Sequence, residues 1–216
     1  INGGDGTYRD QAMAMGCAID DDGKPKAGMG VSVADVDFDG DQDLIVCNMR
    51  DETDSFYENR GTYFFDRTGR SGLRPVTRRY TRFGMGLIDF DNDGLLDLFQ
   101  ANGDIRWRAE NVDGFAQPNM LLQGDEDGRY RPVPLLAGAD PRISRGTAFG
   151  DIDGDGRVDM VIVNMDAPAR VLLNRTEAAP AVRLRLVEAS GRPAHGATVT
   201  GRVGDRSVSN VLQPAY

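Results

Sequence analysis

VSVADVDFDGDQDLIV, residues 31–46, places an acidic nonamer between two apolar runs that are rich in β-branched residues. The nonamer, residues 35–43, follows the pattern D-x-D-x-D-G-x-x-D. The pattern recurs as DFDNDGLLD at 89–97 and as DIDGDGRVD at 151–159, first 54 and then 62 residues further along the chain. Three copies in one frame indicate a repeat protein rather than a chance acidic turn.

The repeated pattern extends beyond the nonamers. A glycine lies five residues before the first Asp of each copy, a Leu or Met follows the last Asp, and an Asn lies five residues after it. Short apolar runs bounded by such turns are typical of largely buried strands, so each nonamer predicts a loop that joins two antiparallel strands. The flanking residues are Gly30, Gly84 and Gly146, then Leu44, Leu98 and Met160, and finally Asn48, Asn102 and Asn164.

The charge of the nonamers predicts a metal. Neighbouring carboxylates repel each other by about 1 kcal/mol per pair even in water, and a bound cation reverses the sign. Side chains at positions 1, 3, 5 and 9 and the carbonyl of position 7 converge if the glycine at position 6 allows a sharp turn. An all-oxygen set suits calcium best and magnesium second, so about three calcium ions are expected. The candidate ligands are Asp35, Asp37, Asp39, Asp41, Asp43, Asp89, Asp91, Asp93, Leu95, Asp97, Asp151, Asp153, Asp155, Arg157 and Asp159, with Asp41, Leu95 and Arg157 acting through their backbone carbonyls.

The flanks distinguish these segments from helical calcium loops. An EF-hand needs a Glu at position 12 and a helix on each side. Position 12 here is Val46, Gln100 or Ile162. Dockerin-type loops resemble the same nonamer, but their copies lie closer together and lead into helices. The sequence therefore predicts calcium loops between strands.

Each repeat has room for four short strands, which is typical of a β-propeller blade, and the fold class is therefore predicted to be all-β. The predicted strands of the first full unit are about 30–35, 43–48, 55–60 and 62–67. Those of the second are about 84–89, 97–102, 119–123 and 129–133.

These motifs resemble the FG-GAP (VCBS) repeat, the calcium-loop blade also found in integrin α-chain propellers. The resemblance is closer to the cartilage acidic protein / ASPIC–UnbV branch. It rests on Gly28-Met29-Gly30 before the first nonamer, on Ser144-Arg145-Gly146 before the third, and on the segments 181–186 and 196–199, which look like the start of the ASPIC/UnbV module. The resemblance implies an extracytoplasmic (secreted, periplasmic or cell-surface), mostly non-enzymatic scaffold that binds calcium.

The resemblance also implies a domain division. Residues 1–178 are expected to be the propeller portion, with a partial blade at about 1–27 and blades at about 28–80, 81–140 and 141–178. Residues 179–216 are expected to be a small, incomplete ASPIC/UnbV-like β segment. An open arc of blades exposes strand edges and apolar faces. The expected partners are therefore the remaining blades, from the same polypeptide or from a partner chain.

The composition argues against several classes of partner and site. A net charge of −9 argues against nucleic acid as a general partner, and no apolar run is long enough for a membrane span. One His and two Cys exclude a zinc site rich in these residues. A protein or glycan ligand is expected, with Arg106, Trp107 and Arg108 as candidates in a ligand-contacting loop; these aromatic and basic residues could equally cover a neighbouring blade.

Two questions stay open at this level. A calcium-dependent polysaccharide lyase or hydrolase of propeller type is the alternative to a scaffold, although no Ser-His-Asp or Cys-His grouping is recognisable. Cys17 and Cys47 could form a disulfide in an oxidising compartment, or Cys47 could be a buried free thiol in its strand.

Overall fold

The computed structural model describes residues 1–105, 114–134, 140–177, 179, 182, 184–203 and 206–211. In these residues the fold is all-β, with two four-stranded antiparallel sheets, one three-stranded sheet, a separate hairpin and a single helix of five residues. The fold class expected from the sequence is confirmed at this level.

The first sheet, blade 1, is a meander in which neighbouring strands in sequence pair side by side. The innermost pair matches Gly30 with Cys47 and Ala34 with Asp43, so the first acidic segment is the loop that joins them. The strands are β1 (Gly30–Ala34), β2 (Asp43–Cys47), β3 (Ser55–Asn59) and β4 (Phe64–Asp66).

The second sheet, blade 2, repeats this meander after a short helix, α1 (Leu73–Thr77), which the sequence pattern did not predict. The second acidic segment again joins the inner two strands, and Ile88 is paired with Asp97 at its base. The strands are β5 (Arg82–Ile88), β6 (Asp97–Asn102), β7 (Met120–Gly124) and β8 (Tyr130–Val133).

The third sheet, blade 3, has three strands in the described part of the chain, where a fourth was expected. They are β9 (Ser144–Gly150), β10 (Asp159–Asn164) and β11 (Arg170–Leu172), and the third acidic segment joins the first two. Further along, β12 (Thr198–Val203) and β13 (Arg206–Val211) form an antiparallel hairpin. The division of the chain at residue 178 stays a prediction.

The core lies between the blades. One apolar cluster joins blade 1 to blade 2, with Ile45 and Phe56 against Leu98 and Leu122. A second cluster joins blade 2 to blade 3, with Phe99 and its neighbours against Met160 and Ile162. Alternate residues of the blade 2 strands therefore face blade 1 and blade 3, so this sheet is buried on both faces.

The inner strands of neighbouring blades touch through their backbones. A Cβ added at Gly30 would lie 2.1 Å from the carbonyl oxygen of Phe83 in β5, and one at Gly84 would lie 2.8 Å from that of Arg145 in β9. In the first two copies, the glycine five residues before the acidic segment therefore marks a place where only a residue without a side chain fits. At Gly146, in the third copy, an added Cβ would meet only the side chain of Val163, at 3.8 Å.

A buried ion pair reinforces the junction of blades 1 and 2. Arg82 and Asp54 are both fully buried, and Arg82 Nε donates to Asp54 Oδ1 at 2.7 Å. The guanidinium group also donates to the carbonyls of Thr77 and Tyr80, and Gln100 donates its amide to the other Asp54 oxygen. Because every charge has partners, the pair is tolerated in the interior.

Cys17 and Cys47 are both free thiols, and Cys47 is buried in β2. The structure therefore favours the buried-thiol alternative over the disulfide. Within the described residues no helix has the length and apolar character that crossing a membrane requires.

Candidate metal centres

Each acidic segment forms a tight loop with two residues in the left-handed backbone region. Position 6 is glycine in all three copies, with φ of 97°, 85° and 86°. Position 4 is also left-handed: Phe38 has φ 62°, Asn92 has φ 56° and Gly154 has φ 82°. The glycine was expected from the sequence, whereas the left-handed position 4 was not, because its residue type differs in every copy.

The last Asp of each loop braces the hairpin. One carboxylate oxygen accepts the backbone N–H of loop position 2, and the other accepts an N–H at the end of the third strand or just beyond it. In blade 1, Asp43 accepts from Val36 at 3.0 Å and from Asn59 at 2.8 Å. Asp97 accepts from Phe90 and Gly124 at 3.2 and 2.9 Å, and Asp159 from Ile152 and Asn174, both at 2.7 Å.

The first and fifth positions close the turn itself. The Oδ2 of Asp35, Asp89 or Asp151 accepts the N–H of the glycine at position 6, at 2.9–3.0 Å. The Asp at position 5 accepts the backbone N–H of position 7; in the first loop, Asp39 accepts the N–H of Asp41 at 2.9 Å. These contacts hold the loops in one shape and leave other carboxylate oxygens for a cation.

Three carboxylates converge in each loop. One oxygen from each lies within 4.8 Å of the others in the groups Asp35, Asp37 and Asp39; Asp89, Asp91 and Asp97; and Asp151, Asp153 and Asp159. Positions 1 and 3 take part in every copy, together with position 5 in the first loop and position 9 in the other two. Asp43, Asp93 and Asp155 lie outside these groups, and the role predicted for the position-7 carbonyls of Asp41, Leu95 and Arg157 stays a prediction.

Buried carboxylate oxygens without a partner test whether a cation fits. Asp35 Oδ1, Asp37 Oδ1 and Asp91 Oδ1 are each buried and accept no hydrogen bond. An anionic oxygen in this position is costly unless it has a positive partner. The donor set is entirely hard oxygen, so the first two loops fit calcium.

The pKa values show the same unbalanced charge. Burial raises the pKa of Asp43 to about 6 and that of Asp97 to about 7, and nearby loop carboxylates add to the shift. Burial also raises the pKa of Asp35 and Asp37 in the first loop and of Asp89 in the second. Each shift disfavours the ionised form in the absence of a cation.

The third loop is partly neutralised by the protein itself. Arg175 lies 2.8 Å from Asp153 and 2.9 Å from Asp155, and Arg157 also pairs with Asp155. At Asp159, burial is the largest influence and raises the pKa, but the N–H groups of Asn174 and Ile152 outweigh it and leave the pKa below its usual value. Asp151, Asp153 and Asp159 still converge, so the donors fit calcium, with competition from arginine.

A fourth acidic group, which the repeat analysis did not single out, lies before blade 1. Asp20, Asp21 and Asp22 converge in the same way. Lys26 lies 3.7 Å from Asp20, and Arg74 lies 2.6 Å from Asp21. These two cations offset two of the three carboxylates, and the segment does not follow the pattern of the nonamers, so it is not a candidate metal loop of the same kind. The ligand-loop candidates Arg106, Trp107 and Arg108 lie outside the described residues.

The sequence matches the FG-GAP-like repeat over residues 35–100 and again over residues 89–162, together more than half of the chain. The chain belongs to the FG-GAP-like repeat family. Each match begins at one acidic loop and ends in the strand that follows the next, so the two matches overlap on the second loop.

The FG-GAP-like chain is also similar to a curated protein. It is 28% identical over 185 residues to Cartilage acidic protein 1 of Homo sapiens, an alignment that covers 79% of this chain and 25% of the human protein. The chain therefore spans about a quarter of the length of this relative. The resemblance to the cartilage acidic protein branch noted from the sequence is confirmed.

Proposed function

We propose that the chain is a calcium-stabilised β-propeller scaffold that acts outside the cytoplasm and holds a protein or glycan ligand. The observation that carries the proposal is the repeated set of converging carboxylates, with buried unpaired oxygens in the first two loops. A bound cation would pair those oxygens and lock the two innermost strands of its blade. Its role would be structural, because each loop lies at the tip of a hairpin whose bracing Asp is already held by two backbone N–H groups.

The compartment follows from the chemistry of such loops. Calcium sites of extracellular modules have dissociation constants of about 10⁻⁴–10⁻³ M, and only outside the cytoplasm is calcium abundant enough to fill them. The similarity to a human protein named for cartilage supports the same location. The expectation that the chain is not an enzyme stays a prediction.

A calcium titration tests this function. We expect about three ions per chain by isothermal titration calorimetry or native mass spectrometry. Each substitution Asp37→Ala, Asp91→Ala or Asp153→Ala should remove one ion, whereas Asp10→Ala, at an exposed position outside the loops, should remove none. Unchanged calcium binding in all three loop variants would refute the ligand assignment.

The partner proposal rests on the exposed faces of the outer blades. On the outer face of blade 3, Val163 of β10, Val171 of β11 and Ile152 of the third loop are 50%, 57% and 54% exposed. The strand registers match these positions to Cys47, Phe56 and Val36 of blade 1, all of which are buried under blade 2. We propose that a further blade of the same kind covers this face, because it continues an interface that already occurs twice in the chain.

Self-association of the chain tests this second step. In solution the available blade is the exposed β1 face of another copy, where Val31 and Val33 are uncovered. We expect concentration-dependent association in sedimentation experiments, removed by the double variant Val163→Lys and Val171→Lys. Leu184→Lys, at an exposed apolar position elsewhere, is the control. A chain that stays monomeric at all concentrations would refute the proposed docking face.

A further inference from the structure

A bridge of hydrogen bonds joins the second metal loop to the third. Asn174 follows β11 and donates its backbone N–H to Asp159, the last Asp of the third loop, at 2.7 Å. Its side-chain amide donates to the carbonyl of Phe90 in the second loop at 2.6 Å and to that of Val158 in the third at 3.2 Å. The N–H of Phe90 in turn is bound by Asp97, the last Asp of the second loop.

We propose that Asn174 is a positioning residue that couples calcium binding at the second and third loops. The inference rests on the proposed function, since it concerns how the same loops are filled. Its structural basis is a continuous path from Asp159 through Asn174 and Phe90 to Asp97. When one loop becomes ordered by an ion, Asn174 is fixed and restrains the other loop. The second ion then binds to a loop that has already lost part of its conformational entropy, so its binding costs less.

A second side-chain contact also joins the second loop to the third. The side-chain amide of Asn92, at position 4 of the second loop, donates to the carbonyl of Gly156 in the third loop at 3.3 Å. Asn92 also donates to the carbonyl of Ala179, whose N–H is bound by the carbonyl of Asp91. The segment that leaves blade 3 therefore lies against the second loop, and the two loops meet at more than one point.

Blades 1 and 2 provide an internal comparison. Asn59 occupies the position of Asn174 in blade 1, and its amide donates to the carbonyl of Gln42 at 3.0 Å, within its own loop. The same position in blade 2 is Gly124, which has no side chain with which to reach the first loop. The amide bridge therefore occurs between the second and third loops and has no counterpart between the first and second.

Nuclear magnetic resonance can resolve the three loops during a titration with calcium alone. The glycine at position 6 of each loop donates its N–H to the first Asp, so the amide signals of Gly40, Gly94 and Gly156 report their own loops. We compare the parent chain with Asp153→Ala, which impairs the third loop. We expect this change to raise the calcium midpoint at Gly94 by about five-fold or more, the lower range of allosteric coupling, and to leave the midpoint at Gly40 unchanged.

The bridge is then removed. In an Asn174→Ala background, Asp153→Ala should shift the midpoint at Gly94 by clearly less, because only the Asn92 contact remains, whereas in an Asn59→Ala background the full shift should persist. If Asn174→Ala does not fold, Asn92→Gly serves instead, because glycine keeps the left-handed backbone and removes the second contact; the shift should then be reduced.

The outcomes separate this inference from the proposed function. Calcium-responsive amides with a Gly94 midpoint that does not depend on Asp153 would overturn the coupling and leave the calcium scaffold standing. A shift that persists undiminished in both bridge variants would overturn the role of Asn174. Amides of all three glycines that ignore millimolar calcium would overturn the proposed function and the coupling with it.

Discussion

Substitution of two aspartates of the second loop, Asp97 and Asp91, should have different effects on the stability of the calcium-free protein. Asp97 accepts two backbone N–H groups, whereas Asp91 accepts one side-chain amide, from Gln123, and keeps a buried oxygen with no partner. The first residue therefore serves the fold with or without an ion, and the second serves mainly the ion.

The hydrogen bonds of the two aspartates give the expected changes in the free energy of unfolding. Asp97→Ala leaves the N–H groups of Phe90 and Gly124 unpaired, and at about 1–3 kcal/mol for each buried group the loss is about 2–6 kcal/mol. Asp91→Ala loses one hydrogen bond of about 1 kcal/mol and removes an unpaired buried anion, so the two effects largely cancel. In excess chelator at pH 5, where a pKa of about 7 keeps Asp97 mostly protonated and free of the cost of a buried charge, we expect Asp97→Ala to be the less stable variant by several kcal/mol.

Urea unfolding followed by circular dichroism measures both variants in excess chelator and again in millimolar calcium. Calcium should stabilise the parent and do so less for both variants, because each lacks a residue of the same converging group. Equal free energies of unfolding for Asp97→Ala and Asp91→Ala in chelator would refute the distinction between a bracing and a ligating carboxylate.

Three further predictions concern other parts of the fold. Since the pKa values of Asp43 and Asp97 are raised to about 6 and 7 from about 4 in an unfolded chain, the calcium-free protein should lose stability as pH rises from about 4 to 7; a melting temperature in chelator that rises over this window would contradict it. Gly94→Ala should cost about 1–2 kcal/mol through its φ of 85° alone, because a Cβ there meets nothing, and Gly150→Ala, equally open but without a positive φ, is the control in thermal unfolding. Arg82→Met should cost about 3–5 kcal/mol by leaving buried Asp54 without its cation, and Arg74→Met, at an exposed ion pair, should cost about 1 kcal/mol or less in the same unfolding assay.

The repeat made the two complete blades predictable from the sequence. The acidic segments end where strands begin, so the predicted strand at 43–48 is found as β2 (Asp43–Cys47), and the one at 97–102 as β6 (Asp97–Asn102). The alternation of apolar residues then places both faces of each blade. The short helix α1 escaped prediction because Pro75 within it is an unfavourable sign for a helix of five residues.

The finer structure of the loops was beyond the sequence pattern. A carboxylate looks the same in the sequence whether it binds an ion or two backbone N–H groups, so the bracing role of the last Asp could not be told from ligation. The bridge at Asn174 did leave a trace, because an Asn-Arg pair occurs at residues 59–60 and again at 174–175. The repeated Asn-Arg pair indicates that both strands end in the same way. Which loop the side-chain amide of the Asn contacts depends on the neighbouring blade, and the pair alone does not reveal it.

The close approach of the inner strands at Gly30 and Gly84 has a consequence for how such a protein can diversify. Main-chain atoms set the distance between the inner strands there. The distance between neighbouring blades therefore does not depend on which side chains are exposed at the surface. Exposed residues of the outer strands and of the connecting segments can therefore change and alter what the surface binds, while the spacing of the inner strands stays constant.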